Sequence, residues 1–160
     1  MSSGQMMMAI GALALLSTLA LTMNGIMLDG NRTMIETNLY VAATSVAQSF
    51  IEQAAIVKFD DYVGIRDPST FPGSFTSPYA LGPEAGDMYP NYDDVDDFDS
   101  FSGQVDAGHV TFDVDITVSY CTSSGATSGS RTYFKLIQVT VSSDFIPTDV
   151  VHTRIMAYTL

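Results

Sequence analysis

The chain has 160 residues, a length that suits one compact unit, with 46% hydrophobic but only 15% charged residues and a mean hydropathy of +0.20. Six basic residues against 18 acidic ones give a net charge of −12. That balance excludes nucleic acid as a partner, because phosphate binding needs clustered Lys and Arg, and Cys121, the single cysteine, excludes an internal disulfide framework or a Cys-cluster zinc site.

The missing charge is concentrated at the start. No charged side chain occurs before Asp29, and Met6 to Leu28 is a run of 23 residues in which only Ser17, Thr18, Thr22 and Asn24 are polar. As a helix it would extend roughly 34 Å, enough to cross a hydrocarbon core of about 30 Å. A secretory signal peptide has a basic opening and an apolar run of 7–15 residues; MSSGQ carries no Lys or Arg and the run here is longer. The stretch therefore reads as a retained apolar helix over residues 1–31, buried in a membrane or among other protein chains.

Residues 32–59 change character. Ile35, Leu39, Ala42, Val46, Phe50, Ala54 and Val57 recur every three or four positions, with Glu36, Thr44, Gln48 and Glu52 largely opposite. That is the stripe of an amphipathic helix that covers a core. The two segments form one long helix or two nearly coaxial pieces, with Gly25, Asp29, Gly30 and Asn31 as the weak point.

At Asp60 the composition shifts again. Residues 60–108 hold five of the six prolines and many glycines and aromatics, the mark of irregular, turning chain. Within it, NYDDVDDFDSFSG interleaves acidic residues with Tyr92, Val95, Phe98 and Phe101, so an ordered loop is expected rather than a disordered acidic tail. Clustered carboxylates are calcium chemistry, which makes Asp94, Asp96 and Asp97 the candidate Ca²⁺ ligands. Their spacing lacks the glycine and distal Glu of an EF-hand, and a solvated or helix-capping loop is the plainer reading.

Residues 109–160 read as antiparallel sheet. From His109 to Tyr120, Val110, Phe112, Val114, Ile116, Val118 and Tyr120 alternate with polar residues, a period of two with one wet face. A second strand is expected over Arg131–Val141, with the Leu136–Ile137 step suggesting a bulge or a change of face. A third runs from Val150 to Leu160. CTSSGATSGS between the first two is expected to be an exposed, mobile hairpin loop with Cys121 a free thiol at its base. The fold class is α+β: a long N-terminal helix, apolar then amphipathic, packed on a small antiparallel sheet. No catalytic residues are expected, since the serines form no G-x-S-x-G elbow and His109 and His152, placed on strands, have no paired carboxylate motif nearby.

This layout, together with DDVDDFDSFSG over Asp93–Gly103, the alternating His109–Tyr120 and YFKLIQVTV over Tyr133–Val141, resembles the type IV pilin and type II secretion pseudopilin superfamily. The sequence departs from that family in two places. The family has a short basic leader ending in Gly and a Glu at the fifth mature position, whereas MSSG has no basic residue and the fifth residue counted from Gln5 is Ala9. The resemblance implies a structural subunit of an extracellular pilus-like filament, inserted in the inner membrane before assembly and handled by pilus or secretion machinery. Its partner in the filament is itself, as a helical homopolymer. The polymerising surface would be the apolar helix, with Met6, Met7, Ile10, Leu13, Leu16, Leu19, Leu21 and Ile26 in the bundle. Two other readings use the same residues: a minor pseudopilin of such a machine, and a single-pass membrane-anchored extracytoplasmic domain. No organic cofactor is expected.

Overall fold

The computed structural model describes residues 2–159. Helix α1 spans Ser3–Ile56, followed by four strands, β1 (Ser102–Ala107), β2 (Val110–Tyr120), β3 (Phe134–Ser142) and β4 (Val150–Ala157). The fold is α+β, one long N-terminal helix packed on a four-stranded antiparallel sheet. Contacts divide the chain at Leu39–Tyr40 into two compact units.

In the first unit α1 passes through residues 24–31 without interruption. Gly25 and Gly30 cost helix propensity but do not break the hydrogen-bond ladder. Thr18 donates its hydroxyl to the Leu15 carbonyl at 2.9 Å, and Thr22 to that of Thr18 at 2.8 Å. These residues thus meet their hydrogen-bonding needs inside the helix.

In the second unit α1 buries Ala43, Val46, Ala47, Phe50, Ile51 and Ala54, a face at i, i+3, i+4, i+7 and i+8 spacing. Of the expected stripe, Val46, Phe50 and Ala54 are buried, Leu39, Ala42 and Val57 are half-buried, and Ile35 is exposed. Three of the buried residues are alanines, which lets the helix lie close to what it covers. α1 stops at Ile56 rather than Phe59. Lys58 there forms a parallel bridge with Asp94, its amide bonding the Asp93 carbonyl at 3.1 Å and its own carbonyl accepting from Val95 at 2.9 Å.

The sheet is a meander in the order β1-β2-β3-β4. Phe112, Val114, Ile116, Val118 and Tyr120 of β2 face the core with Ile137, Val139 and Val141 of β3 and Met156 of β4. Composition places Ser102–Ala107 in the irregular segment, but these residues form β1, which pairs with β2 from Ser102↔Asp115 to Ala107↔Val110. No bulge interrupts β2–β3, which is in continuous register from Tyr120↔Lys135 to Asp113↔Ser142. The break in alternation at Leu136–Ile137 arises because Lys135, not Leu136, takes the core-facing position. β3 also begins at Phe134 rather than Arg131. The loop 122–130 is exposed as expected but tied together, with Thr122 and Gly125 bonding within it and the Ser128 amide donating to the Tyr120 carbonyl at 2.7 Å.

The proline-rich segment has its own core. Phe59, Phe71, Phe75 and Tyr120 cluster with Tyr62, Val63, Leu81 and Tyr158. Phe71 stacks on Phe75 at 4.3 Å, and Tyr158 meets both edge-on at 5.4 Å. Aromatic pairs of this geometry add about 0.5–1.5 kcal/mol beyond burial, which explains how irregular chain is held without regular hydrogen bonding.

Candidate functional site

Two features stand out, one in each unit. The first is the surface of α1 up to Leu28. Met6, Met7, Ile10, Leu13, Leu16, Leu19, Leu21 and Ile26 are each between 58% and 77% exposed. At 100° per residue they are distributed around the whole helix circumference rather than along one stripe. This is a helix long and apolar enough to cross a membrane. Gly11 has open space around it, and with Ala12, Ala14, Ser17 and Ala20 it provides places where another helix could approach closely.

The second feature is a buried ionic cluster beneath β3. Asp60, Asp94, Asp96, Asp97 and Lys135 are all fully buried. Lys135 comes from a core-facing β3 position, directly opposite Tyr120. Its Nζ donates to the Phe59 carbonyl at 2.6 Å, to Asp60 Oδ2 at 3.1 Å and to Asp96 Oδ1, and lies 4.7 Å from the centre of the Phe59 ring. Asp60 Oδ2 also accepts from the Thr76 amide at 2.9 Å and from the Tyr120 hydroxyl at 3.3 Å. Tyr120 donates as well to the Thr76 carbonyl at 2.8 Å. Burial, and then the Asp60 and Asp96 charges, hold the Tyr120 phenol far above its ordinary pKa.

The acidic loop is folded inward. Asp96–Phe98 is a single 3₁₀ turn, and Asp94 Oδ1 accepts from the Asp96 and Asp97 amides at 2.7 and 3.3 Å. Asp97 Oδ2 accepts from the Asp93 and Asp94 amides at 2.9 and 3.2 Å. The aspartates thus bond amides of their own loop, while the N-cap position of the turn is Val95, with no side-chain cap, and the expected solvation is absent: Asp94, Asp96 and Asp97 are buried, with Asp93 alone of the four pointing outward to Lys58 at 2.7 Å. Burying an ionised carboxylate without a partner is expensive. Asp96 therefore sits on Lys135, and burial followed by the Asp96 charge pushes Asp94 up to about 8. Even so, Asp94 Oδ2, Asp96 Oδ2 and Asp97 Oδ1 meet no donor.

As a calcium set, Asp94, Asp96 and Asp97 are not brought together as three free ligands, because Asp96 is committed to Lys135. Asp97 instead meets Glu84 and Asp87, each offering a carboxylate oxygen within 4.8 Å of the others. Sequence reasoning missed Lys135, Asp60, Tyr120, Glu84 and Asp87. A signal for Lys135 was available: it lies in phase with Ile137, Val139 and Val141 at a period of two. His109 lies in the turn before β2, exposed, rather than on a strand, and His152 is half-buried on β4. Cys121 is buried, and burial raises its thiol pKa.

No protein-family model, curated protein or solved structure matches this chain.

Proposed function

We propose that this chain is the structural subunit of an extracellular pilus-like filament, polymerising through a bundle of its N-terminal helices with the β units outside. The observation that supports this reading is the continuous α1, apolar around its whole circumference and bare along Met6–Leu28. Each Leu-sized side chain withdrawn from water is worth about 1.5–3 kcal/mol, so eight of them make a free chain untenable in water. Lipid covers such a helix during membrane insertion, and neighbouring copies cover it after assembly. Small residues at Gly11, Ala14 and Ala20 suit close helix packing, and the methionines fill irregular gaps. A repeated contact that does not close on itself produces an open helical polymer.

The test is a cysteine scan over residues 10–20. Cys121 is buried, so each introduced thiol reports alone. In filaments co-assembled from two such variants, mild oxidation links copies into dimers at the pairs of positions that face each other across the helix contact, one free thiol per chain limiting the product to dimers. A chain that only anchors a domain in the membrane gives monomer at every position, and that pattern would overturn the proposal.

A further inference from the structure

The unit from Tyr40 holds four fully buried carboxylates, Asp60, Asp94, Asp96 and Asp97, against one buried ammonium, Lys135. Lys135 answers two of them, Asp60 and Asp96. Asp94 turns Oδ1 onto its own loop. Asp94 Oδ2, Asp96 Oδ2 and Asp97 Oδ1 are all buried without a donor; of these three residues it is Asp97, its Oδ2 occupied by two backbone amides, that faces further carboxylates.

Facing it is a tight turn. The Asp87 amide bonds the Glu84 carbonyl at 3.1 Å, and Gly86, at φ +119°, supplies backbone that other residues rarely adopt. The turn brings the Glu84 and Asp87 carboxylates to the same side as Asp97, all three offering oxygens within 4.8 Å of one another. Two cations line the cleft that Glu84 borders, but both are engaged elsewhere. The Arg66 guanidinium stacks on Tyr62 at 4.4 Å, and Arg131 Nε donates to the Thr76 carbonyl at 3.3 Å.

We propose that Glu84, Asp87 and Asp97 form a Ca²⁺ site. Three converging carboxylates need positive charge, and the donors are hard oxygens alone, without His or Cys. Ca²⁺ binds oxygens at 2.3–2.6 Å, so two ligands of one ion lie at most about 5.2 Å apart, and the observed separation falls within that span. Asp97 supplies a rigid, buried oxygen; Glu84 and Asp87 supply adjustable ones from the turn, which suits the flexible coordination of Ca²⁺ better than the strict octahedron of Mg²⁺. Water from the open cleft completes the shell. The site ties the proline-rich segment to the acidic loop and is independent of how the apolar helix is covered.

The experiment is calorimetric titration of CaCl₂ into the full chain in detergent micelles after chelator stripping, with thermal melts alongside. One ion per chain is expected, with Kd on the order of 10⁻⁵–10⁻³ M, a higher melting temperature in Ca²⁺, and at least about tenfold weaker binding in the Glu84→Gln/Asp87→Asn variant. Both side chains lie on the turn, Glu84 exposed and Asp87 half-buried, and both substitutions keep the side-chain shape, so near-UV circular dichroism is expected to match the wild type. Should the double variant misfold, Asp87→Asn alone provides the comparison. Absence of both heat and thermal shift in the wild type up to about 10 mM Ca²⁺, above the weakest extracellular calcium modules, would overturn the proposal. So would undiminished binding in a correctly folded variant.

Discussion

Replacing Lys135 with methionine removes the one ammonium from a pocket of buried carboxylates while keeping most of the side-chain stem. Methionine is a close volume match and adapts to irregular space, so the packing loss is small and the effect is electrostatic. Three acceptors lose their donor at once: the Phe59 carbonyl, Asp60 Oδ2 and Asp96 Oδ1. Asp60 retains the Thr76 amide and the Tyr120 hydroxyl, whereas Asp96 has no other partner for either oxygen. Breaking a buried pair by deleting one member costs about 3–5 kcal/mol. For a unit of this size a loss of 1 kcal/mol lowers the midpoint by about 3–5 °C, so the melting temperature falls by about 10–20 °C at pH 7. Near-UV circular dichroism isolates this unit, because all eight tyrosines lie at or beyond Tyr40 and the chain has no tryptophan. Adding Asp96→Asn to the variant is expected to recover at least about 1 kcal/mol, since the stranded charge is gone. A Lys135→Met protein melting within about 4 °C of the wild type would refute this account of the cluster.

Asp94 gives a pH dependence of definite sign. Its folded pKa is raised from 3.8 to about 8, by burial first, so the folded state keeps a proton that the unfolded state has lost. In chelator, stability is therefore expected to fall as pH rises from about 4 to about 8, and Asp94→Asn to flatten that slope, overtaking the wild type at pH 8 in urea midpoints. Ala14→Asp places a charge within the apolar helix, where it costs about 2.5–3.5 kcal/mol per chain in hydrocarbon; fibres are expected to vanish while the tyrosine dichroism stays unchanged. Cys121, buried and with its pKa raised, is expected to resist a thiol reagent until the unit unfolds, which a timed labelling experiment in and out of urea measures.

Local pattern was enough for α1, β2, β3 and β4, because each carries its own periodicity over eight residues or more. β1 was not legible: Ser102–Ala107 has Val105 as its only large apolar side chain, and alternating exposed and half-buried positions leave no hydrophobic signal on an edge strand. It exists because β2 offers a free edge. The acidic loop was misread for a different reason. Aspartates read as solvent-facing by composition, and what buries them is a lysine 39 residues further along the chain, which also reaches Asp60 across 75. Glu84 and Asp87 carried no signal at all, since their approach to Asp97 depends on how the proline-rich segment folds back on aromatic contacts. The loop 122–130, expected to be mobile from its Ser and Gly content, is held by hydrogen bonds that composition does not encode.

What covers the apolar helix is read out by electron microscopy of material sheared from cells producing the chain, with mass spectrometry of the main protein band. Long, thin fibres of constant width built mostly of this chain are expected, with the Met6–Leu28 peptide present in the fibre protein. Recovery of the chain solely in the membrane fraction, with fibres absent or made of another protein, would contradict it.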